Sequence, residues 1–146
     1  MDSGNRVKRK RIGELLCEKA YLDEAGLGVA LAEQKVTHRR LGQILLELGY
    51  ITQSQLNEAL AVQVGIEKID LSEVSIGSEV ISLVPAELVS KYNILPLWRQ
   101  NGRLAVAMVD PFQPQAMEDL RLVTGCLVQR YYAEPIQLEH AVLRFY

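Results

Sequence analysis

Cysteine, histidine and aromatic residues are all scarce in this chain: two Cys, two His, one Trp and two Phe in 146 residues. Cys17 and Cys126 stand in separate apolar stretches without a CxxC or a Cys/His cluster. That pattern gives no disulfide scaffold and no zinc site, and it fits a reducing compartment. No apolar run approaches the roughly 18 residues of a membrane-spanning helix. An excess of one charge is missing too, with 16 Lys and Arg against 18 Asp and Glu and a net charge of -2. No global field therefore favours nucleic acid or an anionic membrane. The only basic cluster is Arg6, Lys8, Arg9, Lys10 and Arg11, and no apolar segment follows it as in a secretory signal. GxxxxGK[ST], GxSxG and GxGxxG are all absent, so the sequence offers no phosphate loop, nucleophile elbow or dinucleotide fingerprint. His38 and His140 have no Cys or Asp at a ligand-like spacing, and both are expected to be solvated or satisfied by ordinary hydrogen bonds. The sequence is therefore read as a non-enzymatic, cytoplasmic protein of one domain or two small ones.

What the chain does contain is a repeat. Displaced by 29 residues, segment 11–34 aligns without gaps on segment 40–63, with ten of 24 positions identical. The shared residues include Arg11/Arg40, Gly13/Gly42, Glu18/Glu47, Tyr21/Tyr50, Leu27/Leu56, Leu31/Leu60 and Gln34/Gln63. Apolar residues recur at helical spacing on both sides of a break at Ala20-Tyr21 or Gly49-Tyr50, so each unit reads as two short helices and a turn. Gly49 falls where a helix C′ residue belongs. Thr52 with Gln55 has the capping-box spacing, and Asp23 can cap the corresponding helix of the first unit. The five-residue spacer 35–39 requires the units to pack side by side, with a local pseudo-twofold axis expected between them. Leu27, Leu31 and Gln34 lie on one helical stripe, as do Leu56, Leu60 and Gln63. Core packing accounts for such leucines. The Arg-x-Gly at each head is harder to assign to packing, because glycine costs a helix about 1 kcal/mol relative to alanine. It implies close approach to the backbone, either by another helix or by a ligand whose phosphate or guanine edge the arginine would grip.

Beyond residue 63 the repeat ends and the pattern changes, with a boundary expected near residue 80. Pro85 opens a short helix. Segments 94–99 and 103–108 flank Asn101-Gly102, a strong hairpin signal, and Pro96 places the first strand at a sheet edge. A helix over 115–124 stopped by Gly125, a strand over 127–132 and a helix over 135–145 complete the pattern. Trp98, Tyr131 and Tyr132 are expected in the core or at its rim. The fold class is therefore α+β: a basic arm (1–10), a four-helix subdomain of two helix-turn-helix units with its linker (11–79), and a small α/β subdomain with a mostly antiparallel three-stranded sheet (80–146).

The two repeats resemble the paired RLGxxLxxxGxLxxxxLxxALxxQ motifs of the MshEN domain, found at the N-terminus of type II secretion (protein E) and type IV pilus assembly ATPases. Segments 83–97 and 107–125 are also similar to the rest of that region. The resemblance implies a receptor for cyclic di-GMP, with no further cofactor and no metal, in which each motif holds one half of a two-fold ligand. Carried across by position, it implies that Arg11 and Arg40 grip guanine edges or phosphates. Gly13 and Gly42, beside Ile12 and Leu41, would permit close approach, while Leu27, Leu31, Leu56 and Leu60 cover purine and ribose faces. Gln34 and Gln63 would add polar contacts, with Asp110 and Arg9 as peripheral partners. The first unit departs from the pattern at Cys17, Ala20, Gly26 and Gly28, so its half-site is expected to be the looser. Signalling would pass to a motor ATPase or its membrane-platform protein, in cis or in trans, without nucleic acid or membrane insertion. The alternative is a protein-interaction adapter of a secretion or pilus machine that binds no nucleotide.

Overall fold

The computed structural model describes residues 10–146, and the chain divides into two compact units between Gly65 and Ile66. The basic arm, including Arg9, lies outside the described residues. In the first unit, each motif forms two helices: α1 (Ile12–Glu18) and α2 (Glu24–Thr37), then α3 (Leu41–Glu47) and α4 (Gln53–Gln63). Their packing is exchanged, with α1 on α4 and α2 on α3. The core consists of Leu15, Leu16, Leu22 and Ala30 from the first motif and Ile44, Leu45, Ile51, Leu56 and Ala59 from the second.

The two turns are built alike. After α1, the Ala20 N–H reaches the Cys17 carbonyl and the Tyr21 N–H reaches that of Leu16, both at 3.0 Å. After α3, the Gly49 N–H reaches Leu46 at 3.1 Å and the Tyr50 N–H reaches Leu45 at 3.0 Å. Both are Schellman closures, which need a left-handed residue at C′. Glycine takes it in the second motif (φ 80), whereas Ala20 must adopt φ 62 in the first. The expected caps form, with Asp23 accepting from the Gly26 N–H at 2.7 Å and Thr52 from the Gln55 N–H at 3.1 Å. Helix α2 runs unbroken through both of its glycines. Gly26 sits tightly there: a Cβ would lie 3.1 Å from Leu22 Cδ1 and 3.4 Å from the Tyr50 ring, so these side chains would have to shift by a few tenths of an ångström.

The second unit contains α5 (Ser78–Ile81), α6 (Ala86–Tyr92), β1 (Ile94–Gln100), β2 (Arg103–Met108), α7 (Pro114–Thr124), β3 (Leu127–Tyr132) and α8 (Pro135–Phe145). The sheet order is β1-β2-β3, which puts Pro96 on an edge strand as expected. Asn101 and Gly102 both have positive φ (53 and 75) and close the antiparallel β1/β2 hairpin. Strand β3 then joins β2 in parallel, because α7 carries the chain back across the sheet. The sequence pattern put the boundary near residue 80, but the segment after Gly65 packs into the second unit. Leu71 and Ile76 enter its core, Lys68 bridges Tyr132, and Gln137 accepts from the Leu71 N–H at 3.0 Å while donating to Asp70 at 3.1 Å. Tyr132 is buried, whereas Trp98 is 39% exposed and packs against Tyr131 with ring centroids 5.4 Å apart.

Candidate functional site

The helical exchange brings the head of each motif to the tail of the other. Gln63 at the end of α4 donates to the Lys10 carbonyl at 3.2 Å, immediately before Arg11. Gln34 of α2 donates to the Arg39 carbonyl at 3.1 Å, immediately before Arg40. The two bonds are the same bond, related by the 29-residue repeat. Ion pairs repeat in the same way: Lys10 with Glu18 at 2.6 Å, and Arg39 with Glu47 through both guanidinium nitrogens. The Arg39 fork holds the Glu47 carboxyl below its ordinary range by donating hydrogen bonds to it. Each pair anchors the residue ahead of a motif arginine, leaving Arg11 and Arg40 as exposed N-caps of α1 and α3.

At the second motif these groups surround a cavity of about 220 Å³. Its walls are Arg40, Leu41, Gly42, Leu56, Leu60 and Gln63, with Gln43 and, from the first motif, Ile12. The cavity is smaller than the roughly 300 Å³ at which drug-sized pockets begin, which suits one aromatic base and not a dinucleotide. The close approach implied by Arg-x-Gly is made here by leucine. A Cβ on Gly42 would stand 2.9 Å from Leu56 Cδ1, and one on Gly13 would stand 2.8 Å from Leu27 Cδ1 and 3.3 Å from Leu41 Cδ2. Each glycine thus lets the leucine of its own motif lie flat against the helix start. Leu56 is at once part of the core and a wall of the cavity.

The first motif places its residues by the same plan but leaves them more open. Leu27 is half-buried, Leu31 is 41% exposed, and Gln34 is engaged with the Arg39 carbonyl. The outer sides of the motifs differ more. Glu58 of α4 is buried and meets Lys19 at 2.9 Å and the Tyr21 hydroxyl at 2.9 Å. The equivalent positions across the pseudo-twofold, Val29, Leu48 and Tyr50, are apolar and exposed.

Asp110 belongs to the second unit. Its carboxylate accepts from the Phe112 N–H at 3.0 Å, closing a turn that Arg130 clamps through the Pro111 carbonyl at 2.8 Å. Gln43, Lys10 and Arg39 were not singled out from the sequence. The signal for the last two was present, since the 29-residue offset that aligns Glu18 with Glu47 also aligns the two cations. His38 and His140 are exposed, and no group of three or more metal-ligating side chains occurs among the described residues.

The MshEN domain family matches residues 63–146, more than half of the chain. The chain belongs to the MshEN domain family. That match covers the second unit, and the relatives extend the likeness over the motifs. The type IV pilus assembly ATPase PilB of Myxococcus xanthus (strain DK1622) is 32% identical over 136 residues, 93% of this chain and 24% of the relative. PilB of Pseudomonas aeruginosa is 30% identical over 80 residues, 55% of this chain and 14% of the relative. This MshEN chain therefore spans a quarter or less of the curated relatives it matches. A solved structure of MshE with cdg, cyclic di-GMP, superposes with a TM-score of 0.67 at 34% identity, covering 94% of this chain and all of that one. The N-terminal domain of XpsE superposes with a TM-score of 0.63 at 20% identity over 96% of this chain and 99% of that one, a likeness of fold.

Proposed function

We propose that this MshEN chain is a non-catalytic cyclic di-GMP receptor. The observation that carries the proposal is the cavity at the second motif. Arg40, Gly42, Leu56, Leu60 and Gln63, shared by the repeat, and Leu41, added by the family resemblance, line one concave surface with Ile12 of the other motif. Its chemistry fits a guanine: a forked cation for the O6/N7 edge or a phosphate, aliphatic walls for the purine face, and a carboxamide at the rim. Arg11, Ile12, Gly13, Leu27, Leu31 and Gln34 repeat the set at the first motif. A ligand with two guanines and two phosphates related by a twofold matches a protein surface with the same symmetry. The MshE structure with cyclic di-GMP, at 34% identity, supports the same reading.

The ligand ties two motifs whose helices are already exchanged. Any partner that binds the tied arrangement more tightly is then controlled by the dinucleotide, within the limit set by its differential affinity. The PilB relatives point to a pilus or secretion ATPase motor as that partner. No helix among the described residues is long and apolar enough to cross a membrane, and we place the receptor in the cytoplasm. Calorimetric titration with cyclic di-GMP, using GTP as the control, tests the proposal. Arg40→Ala should weaken binding by about 1–3 kcal/mol, roughly 5- to 150-fold. Absence of heat with the wild-type protein at micromolar concentration overturns it in favour of a nucleotide-free adapter.

A further inference from the structure

Each motif arginine is preceded by a second cation, Lys10 before Arg11 and Arg39 before Arg40. Attraction to phosphate alone would leave both cations of each motif facing the ligand. The structure instead turns the first one away. Its side chain runs back along its own helix, where Lys10 meets Glu18 at 2.6 Å and Arg39 forks onto Glu47. Those glutamates are the last residues of α1 and α3. An acid is disfavoured at a helix C-terminus, and neither last turn holds a basic residue to offset it. A cation is disfavoured at a helix N-terminus for the same reason. The pair resolves both, by carrying a cationic head across a seven-residue helix, about 10 Å long, to the end where it is favoured.

The same residue is held at its carbonyl by a glutamine, Lys10 by Gln63 of α4 and Arg39 by Gln34 of α2. With side chain and carbonyl both engaged, residues 10 and 39 are fixed. The next residue then takes nearly one backbone conformation in both motifs: φ -72 and ψ 153 at Arg11, φ -66 and ψ 136 at Arg40. Among the described residues, Arg11 and Arg40 form no ion pair. Stability does not explain the arrangement. All four paired side chains are about half exposed, and exposed pairs contribute little to folding. What the two pairs fix is the direction in which a motif arginine leaves the backbone.

We infer that Lys10–Glu18 and Arg39–Glu47 are positioning pairs that set the affinity of the motif arginines for cyclic di-GMP. The inference rests on the receptor reading above. Each glutamate withdraws the neighbouring cation from competition for the ligand and holds the helix start. The arginine is therefore oriented before the ligand arrives, and less freedom is lost on binding. Arg11 and Arg40 touch the ligand, and the four paired residues act through them.

Calorimetric titration of the full chain with cyclic di-GMP separates positioning from plain charge, because the two predict opposite signs. Removing a carboxylate near two phosphates strengthens binding if long-range attraction is all that matters. Glu47→Ala should instead raise the Kd about two- to fivefold, and adding Glu18→Ala should bring the rise to about 4- to 25-fold. Arg39→Lys keeps an ion pair of the kind Lys10 makes and should bind like wild type, whereas Arg39→Met should weaken binding as Glu47→Ala does. Combining Arg39→Met with Glu47→Ala should cost no more than either alone, since the pair is lost only once. Melting temperatures should match that of wild type throughout. Four results overturn the inference while leaving the receptor reading in place: a Glu47→Ala variant that binds as tightly as wild type or more so, an Arg39→Lys variant as weak as Arg39→Met, additive losses in the double variant, or weaker binding accompanied by earlier melting. A wild type that binds no cyclic di-GMP overturns both.

Discussion

Ala20→Gly should stabilise the protein, against the usual direction of a glycine substitution. Ala20 sits at the C′ position of α1 with φ 62, where its methyl group is crowded by its own backbone. The left-handed conformation costs an L-residue about 1–2 kcal/mol. Glycine removes that cost but adds freedom to the unfolded chain worth about 0.4–1 kcal/mol, which leaves a gain of about 0.5–1 kcal/mol. Ala20 is exposed, so losing its methyl group sacrifices little burial. Gly49 provides the internal control: it has the same closure and φ 80, and a Cβ there would meet nothing within 4 Å. Gly49→Ala should therefore cost about what Ala20→Gly gains, and the double variant should return close to wild type, since the residues occupy separate turns. Urea unfolding followed by far-UV circular dichroism reads the helices of both units, and the variants should move only the transition of the first. With m at about 1–3 kcal/mol/M, the midpoint should move by about 0.2–1 M in opposite directions for the two variants. If Ala20→Gly lowers the midpoint, or Gly49→Ala leaves it in place, the two turns do not share the strain assigned to them.

Gly42→Ala should impair cyclic di-GMP binding more than stability, because its Cβ displaces the flexible end of Leu56 from the cavity wall; titration against thermal melting separates the two effects. Lys19→Met should destabilise the helical unit by about 1 kcal/mol, since buried Glu58 loses the Lys19 ammonium while keeping the Tyr21 hydroxyl; an unchanged urea midpoint rejects this. Asp119 accepts hydrogen bonds from the Tyr92 hydroxyl at 2.5 Å and from Gln115 at 2.8 Å, which hold its carboxyl below the ordinary value. Its contribution to stability is present above the unfolded carboxyl pKa and is lost as pH falls through the lower folded value. Asp119→Asn should accordingly flatten the acid limb of stability against pH.

Local signals in the sequence located most of the elements, because each carried its own chemistry. Gly49, Asp23, the Thr52/Gln55 box, Asn101-Gly102 and Gly125 each mark a turn or cap through backbone or side-chain geometry. The four-residue helix α5 has no such marker. The segment after Gly65 has no periodicity either, and its membership is decided by tertiary burial of Leu71 and Ile76. Ala20 shows how a repeat extends legibility: alanine signals no left-handed turn by itself, but its alignment with Gly49 does. Five of the cavity residues, Arg40, Gly42, Leu56, Leu60 and Gln63, were likewise readable from the repeat. The exchange of helices was not, since spacing reveals that a helix exists without revealing what it packs against. Gln43 was missed for the same reason, as it joins the cavity by position beside Gly42 and not through an identity between the motifs.

The packing of α1 on α4 and α2 on α3 has a consequence for fragments of this chain. A peptide carrying one motif leaves the inner faces of both its helices unburied, so it has no folded monomer. Cut at the exposed His38, the protein should yield two fragments whose motif helices are unfolded apart and recover helical structure when mixed, while the second unit stays folded throughout. The covalent spacer then serves chiefly to raise their local concentration.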